Sequence, residues 1–467
     1  MLGCIMSHRI EAIMATTTQN SDLQQPRRQS MPGGRIGPIV AASLATGLFV
    51  AMALVAAPFV EAKENVLTGV VLLGFALGWA LLAVLSVRFS DQPQRWAAGP
   101  VVFFTVAGLI SILASDTVNN VFRWVWPPVL LGLVVWMIIR ASRQLHSRTR
   151  RWLLYPVLAA LTLASVGAGY ETVRESVDAA AYPMPGQLID VGGHRLHLHC
   201  TGSGSPTVVL EPGLGEASSV MGWIAPAVAR DTRVCVYDRA GRGWSEAADG
   251  PQDGAQIAAD LHTLLDRAHV PGPYVLAGHS FGGLYILTFA AQYPDQVAGM
   301  VLLDSTAPAS APGPPAKAGS YDLPGRISAL LPAVAHLGAA RLVGQFSYGT
   351  LPPRSRDEAR ARSATASDVE SFLNEFLEGS TAVRQAASLV DFADKPLIVV
   401  TAGREHDDAW LAAQDKLATL STNSRHRIVA DATHASLLLD ATDATAMNQA
   451  IRDVVASVRT SRPLPSP

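Results

Sequence analysis

A serine between glycines, Gly278-His279-Ser280-Phe281-Gly282, is the group of residues in this chain best suited to chemistry. The apolar run Tyr274-Val275-Leu276-Ala277 leads into it, and Gly283-Leu284-Tyr285-Ile286-Leu287 followed by Phe289-Ala290-Ala291 leads out. The pattern G-x-S-x-G between a buried strand and a helix sets the serine at the apex of a sharp turn. At that apex a side chain on Gly278 or Gly282 would collide with the neighbouring backbone. The helix N-terminus just after Ser280 offers a positive dipole end and free N–H groups to a developing oxyanion. A serine hydroxyl is a weak nucleophile at neutral pH, so the turn needs a histidine partner. His279 adjoins the serine with its ring directed elsewhere, His426 starts a strand, and His434 follows that strand. His197 and His199 share a strand face, with His194 nearby, as metal ligands would. No carboxylate or third ligand accompanies them, so no metal is assigned, and nothing calls for another cofactor.

The elements that position this turn come after a very different region. The chain has 467 residues, 49% of them hydrophobic and only 16% charged, which implies membrane segments. A net charge of -2 and the lack of a basic, aromatic-interleaved patch exclude nucleic acid as a partner. Residues 1–35 are polar and mixed, and are expected to be a disordered cytoplasmic N-terminus. Five apolar runs follow at about 36–60, 66–87, 97–114, 124–139 and 152–170, each near the ~20 residues that cross hydrocarbon. The fourth is the shortest and contains Pro127-Pro128. Arg27, Arg28, Arg35, Arg88, Arg95, Arg140, Arg143, Arg148, Arg150 and Arg151 fall on one side of these runs. The opposite loops carry Lys63 and Arg123 against Glu61, Glu64 and Asp116, so positive-inside logic places everything after Tyr170 outside the cytoplasm. Trp96, Trp124, Trp126 and Trp152 at run ends suit an interfacial belt. The expected location is a bacterial-type plasma membrane, with the bilayer as one partner.

From about residue 181 short β-rich runs alternate with helical stretches. Gln187 to Val191 and His194 to Cys200 read as a hairpin around Gly192-Gly193. Thr207 to Leu210, Val234 to Tyr237, Tyr274 to Ala277, Met300 to Leu303 and Leu397 to Val400 read as buried strands, with Gln256 to Ala268 as one of the intervening helices. This rhythm predicts a mostly parallel sheet covered on both faces.

Three stretches together resemble the α/β-hydrolase fold superfamily: Gly278 to Gly283, the loop Tyr237-Asp238-Arg239-Ala240-Gly241-Arg242-Gly243-Trp244-Ser245, and Thr433-His434. The resemblance covers roughly 183–458. It implies an eight-stranded sheet with helices on both faces, a helical lid after the sixth strand, and catalytic residues in the order nucleophile, acid, histidine. Carried over residue by residue, Ser280 is the nucleophile and His434 the base. The oxyanion hole uses the backbone N–H of Phe281 and one from Glu211-Pro212-Gly213-Leu214-Gly215; aligning the glycines makes Leu214 the donor. Relatives often carry His-Gly where this chain has Glu-Pro-Gly.

Two aspartates compete for the acid. Asp304 ends the buried strand Val301-Leu302-Leu303 and is preferred. Asp407 is the alternative, because the turn Gly403-Arg404-Glu405-His406-Asp407 has His406 where relatives place their acid. The stretch 309–391 fits the lid, with helices such as Ile327 to Val343 and Ser367 to Ala387. The fold pairs the strands carrying Cys200 and Cys235, so a disulfide between them is feasible outside the cytoplasm. The expectation is a membrane-anchored serine hydrolase cleaving small-molecule or lipid esters. An amidase or aminopeptidase with the same residues, or an inactive binding or signalling module, is the alternative.

Overall fold

The computed structural model describes residues 36–144, 153–308 and 322–465. The expectation for 1–35, the arginine-rich link around 148–151 and the start of the lid at 309–321 lie outside these residues. Five N-terminal helices, Ile36–Val55, Glu64–Phe89, Ala98–Leu113, Asp116–Gln144 and Tyr155–Ala181, are long and apolar enough to cross a membrane, the third counted with the preceding turn from Arg95. Glycines set their spacing: a β-carbon on Gly47 would lie 2.8 Å from the Gly78 Cα, and one on Gly74 2.7 Å from the Ala51 nitrogen. Small residues at such positions let helices meet backbone to backbone where no hydrophobic effect drives them together.

The fourth helix is longer than its apolar run, not shorter. Pro127 and Pro128 lie inside it, and the Ser165 hydroxyl of the fifth helix donates to the Pro127 carbonyl at 2.6 Å. Neighbouring hydroxyls can satisfy backbone that proline disturbs. The fifth helix also outruns its apolar stretch, continuing through Glu171, Arg174 and Asp178 to Ala181, a short linker away from the sheet domain that begins at Gln187.

The sheet has eight strands: β1 (Gln187–Asp190), β2 (Arg195–Thr201), β3 (Thr207–Glu211), β4 (Val234–Tyr237), β5 (Tyr274–His279), β6 (Val297–Leu303), β7 (Leu397–Ala402) and β8 (Ser424–Val429). Their spatial order is β1-β2-β4-β3-β5-β6-β7-β8, with β2 antiparallel to both neighbours and all other pairs parallel. Every residue of β3, β5 and β7 is buried, as central strands of a doubly covered sheet must be. Leu261, Leu264, Leu284 and Phe289 pack on one face, and Ile224, Met447, Ile451 and Val454 on the other. Register sets Cys200 opposite Cys235, and a disulfide joins them.

The lid is more broken than its sequence suggests. Instead of one helix over 327–343 there are three short ones, Leu323–Ser328, Leu331–Ala335 and Ala339–Gly344. Pro332 starts the second, and Gly338, at φ +82°, precedes the third. The second expected helix divides at Glu378 into Ala366–Leu377 and Gly379–Ala386. Pro353–Arg362 forms a helix that apolar periodicity does not reveal, because its sequence is almost wholly polar.

Candidate active site

Ser280 follows β5 with φ +54°, in the left-handed region that side chains avoid. Its neighbours hold it there. The Ser280 N–H donates to the Leu303 carbonyl at 3.1 Å, and the Thr306 N–H to the Ser280 carbonyl at 3.1 Å, so the end of β6 clamps both sides of the turn. A β-carbon on Gly278 would lie 2.6 Å from the Gly282 carbonyl oxygen, and one on Gly282 2.6 Å from that of Pro212. Only glycines allow this turn to close. The helix Gly282–Gln292 starts directly after it.

Asp304, one residue beyond β6, is also left-handed at φ +46°, and its side chain is fully buried. Its Oδ2 takes His434 Nδ1 at 2.6 Å and His406 Nε2 at 2.7 Å. Its Oδ1 accepts from the Trp410 indole N–H and the Ala402 N–H, both at 3.2 Å. Burial alone would raise this carboxyl, but hydrogen bonds from His434 and His406 outweigh it and hold the group below its ordinary value. The contact with Asp304 occupies Nδ1 of His434, and no hydrogen bond among the described residues engages its Nε2; His434 is about one-third exposed.

Asp407 is engaged elsewhere. It is the N-cap of helix Asp408–Ala418, and its carboxylate accepts from the Trp410 N–H at 2.9 Å. The turn after β7 thus gives Asp304 a histidine, not His434 an aspartate.

The loop Glu211–Gly215 lies against the serine: a β-carbon on Gly213 would be 3.1 Å from Ser280 Cβ. The Gly213 N–H donates to Glu216 Oε2 at 2.7 Å, and the same carboxylate meets His279 Nδ1 at 3.2 Å. Among the described residues the amides of Leu214 and Phe281 donate to no protein acceptor. His279 does not face away from the site. Its ring lies 4.7 Å from that of His434, and its Nε2 is 3.3 Å from the His434 carbonyl.

Two buried arginines fix the other side of this loop. Arg239 reaches Glu211 at 2.6 Å, the carbonyls of Pro212 and Gly213 at 2.9 and 2.7 Å, and Glu375 of the lid at 2.9 and 3.0 Å. Arg242 pairs with Asp368 of the same lid helix at 2.7 Å and with Glu375 at 3.4 Å. Three carboxylates face two guanidiniums, one negative charge in excess. Burial accordingly pushes Glu211 up to about 7 against the pull of Arg239, and the Tyr237 hydroxyl also bonds it. Glu375 goes the other way: burial raises it, but Arg239 and Arg242 outweigh that and lower it. The unusual Glu211 is therefore a tie between loop and lid.

Of the hairpin histidines, His197 is buried between Asp238 at 2.8 Å and the Pro185 carbonyl at 2.6 Å, in a structural bridge to the Asp238–Ser245 loop. Among the described residues the group spaced to hold a metal ion is Asp304, His406 and His434, with ligand atoms within 4.8 Å. Its 2.6 and 2.7 Å separations are those of hydrogen bonds. Sequence reasoning did not identify Glu216, Trp410 and Glu375, and it noted His406 only as a departure from the expected acid.

The model of the alpha/beta hydrolase fold family matches residues 206–441, just over half of the chain. Among curated proteins the chain is similar to an uncharacterized protein of Schizosaccharomyces pombe, 29% identical over 297 residues that cover 56% of this chain and 54% of that one. It is also similar to 2-hydroxy-6-oxo-2,4-heptadienoate hydrolase of Pseudomonas putida, 32% identical over 129 residues, 25% of this chain and 44% of that one. The chain thus spans about half or less of these relatives. A solved structure, the enol-lactonase from Burkholderia xenovorans, is 22% identical with a TM-score of 0.45, covering 58% of this chain and all of that one.

Proposed function

The chain belongs to the alpha/beta hydrolase fold family, and on that premise we propose that it is a membrane-anchored serine hydrolase that cleaves carboxylic esters, its catalytic domain outside the cytoplasm. The observation that carries the reading is the pairing of His434 with the buried Asp304, which lies between Leu303 and Thr306, the two residues whose backbone clamps the strained Ser280 turn.

In this reading His434 Nε2 takes the Ser280 proton as Oγ attacks the ester carbonyl. The imidazolium that forms is stabilised by Asp304 through Nδ1–H, while the aspartate itself stays ionised. The oxyanion is received by the N–H groups of Phe281 and Leu214, which have no other acceptor to leave. His434 then returns the proton to the leaving alcohol. The acyl-enzyme is hydrolysed by water that the same imidazole activates. Anchoring is supported by the five long apolar helices, and the outside location by arginine placement and by the Cys200–Cys235 disulfide, a bond that persists in oxidising compartments.

The test uses the full chain in detergent with p-nitrophenyl esters of graded length and a fluorophosphonate probe. Wild-type protein should be labelled and turn over esters; Ser280→Ala should lose the label and most of the rate, on the order of 10⁴-fold or more. Ester turnover that survives Ser280→Ala would rule out the proposal.

A further inference from the structure

The first part of the lid is clamped to the helix bundle at two places. Arg326 donates to the carbonyls of Val55 and Val60 at 2.7 and 2.6 Å, capping the end of the first long helix, whose last carbonyls have no partner in the helix itself. Further along, the Leu337 carbonyl occupies the place a β-carbon on Gly167 would need. Gly167 sits four residues, about 6 Å, on the apolar side of Glu171, the first acidic residue of the fifth helix. Arg341 marks the polar edge, pairing with Glu171 and Asp178 at 2.7 Å each.

Between these clamps and just beyond them the segment leaves large apolar side chains uncovered. Ile327, Leu331, Val334, Leu342, Val343 and Phe346 are 44 to 83% exposed. From Leu323 to Pro352 the only Lys, Arg, Asp or Glu residues are Arg326 and Arg341, both already used in the contacts above. The next helix, Pro353–Arg362, is by contrast dense in charge. An uncharged apolar face, level with the apolar stretch of a membrane-length helix, has lipid as its natural cover.

We infer that residues 323–346 lie in the headgroup–acyl boundary of the leaflet facing the hydrolase domain, with lipid covering their apolar side chains. The inference rests on the membrane-anchored reading above. It makes the base of the lid part of the lipid-contacting surface, in the layer where acyl esters partition.

The test reconstitutes the full chain, carrying Cys4→Ser, in phosphatidylcholine–phosphatidylglycerol vesicles. An environment-sensitive dye is attached at Phe346→Cys or, should that variant fold poorly, at Val343→Cys. Leu163→Cys, 73% exposed on the fifth helix, serves as the lipid-facing reference. The expected result is quenching by doxyl-labelled phosphatidylcholine as strong as at Leu163→Cys, with shielding from aqueous iodide. Strong iodide quenching would overturn the inference. Shielding from both quenchers would do so too, by assigning the face to protein or a second copy. If the Leu163→Cys label also escapes the lipid quencher, the anchoring itself is wrong, a failure distinct from one confined to the lid.

Discussion

In the helix bundle, cohesion comes from side chains that are missing: Gly47, Gly74 and Gly78 bring two helices into backbone contact, and Gly69 and Gly108 do the same for the next pair. In the sheet domain it comes partly from charges that are buried, with Arg239 and Arg242 enclosed among Glu211, Asp368 and Glu375. The difference follows from what each region must satisfy. A long apolar helix meets its own backbone hydrogen bonds and gains mainly from close packing. The rim of the sheet is built from loops far apart in the chain, and directional charge pairs can fix such loops against one another where apolar contact alone would let them slide. The bundle is thus held by shape and the site by electrostatics.

The sharpest way to break this contrast is at Asp304. Its carboxylate collects four donors and orients His434, so Asp304→Asn should cut ester turnover by about 10⁴-fold. Asp407→Asn, which alters only a helix cap, should leave the rate within about twofold. Parallel kcat measurements check both; equal losses would mean that the acid is misassigned. Next in size is Glu375→Gln, which removes the one buried carboxylate that pairs with both Arg239 and Arg242 and should cost about 3–5 kcal/mol in denaturant unfolding. A loss below 1 kcal/mol would show that the cluster contributes little to holding the lid.

Gly74→Leu sharpens the comparison from the other side. The added side chain would press on Ala51 backbone 2.7 Å away, and overpacking of this kind costs about 1–3 kcal/mol. The loss should appear in unfolding of the bundle, while kcat on a short soluble ester stays unchanged. A large fall in kcat would mean that the two regions are not separable in this way.

How legible each region is in the sequence follows the same division. The five long helices announce themselves through composition, and their ends are misjudged where polar residues continue a helix, as at Glu171 to Ala181, where prolines lie within one, as at Pro127-Pro128, or where the apolar run outlasts it, as after Val55. The serine turn is equally visible because its requirement is local: two glycines, a strand before and a helix after. The rest of the site is not local. Glu375 lies 136 residues from Arg239, and His406 102 residues from Asp304, so no spacing rule links them. Glu216 reads as one more loop carboxylate until the fold brings His279 to it. Asp304 could be named beforehand because a carboxylate ending a buried strand has few ways of being satisfied; the second histidine on it could not.

The smallest expected effect tests whether charge also organises the approach to the serine. Glu216 bonds both the Gly213 amide and His279. Burial would lower His279, but Glu216 outweighs it and the ring ends above its ordinary value of 6.5. Burial would raise Glu216, yet His279 and the Gly213 amide leave it below its ordinary 4.5. A raised histidine stabilises the fold fully below 6.5 and loses that contribution as pH rises through its folded value. A lowered carboxylate contributes above 4.5 and loses it as pH falls through its own. The pair should therefore matter most between those two values. Glu216 is partly open to solvent, so Glu216→Gln should cost only about 1 kcal/mol there, and the gap to wild type should narrow as pH climbs past the range where His279 titrates. Denaturant unfolding of both proteins across this span measures the gap directly. A gap that stays constant with pH would mean that His279 is uncharged throughout and that the loop is held by the amide bond alone.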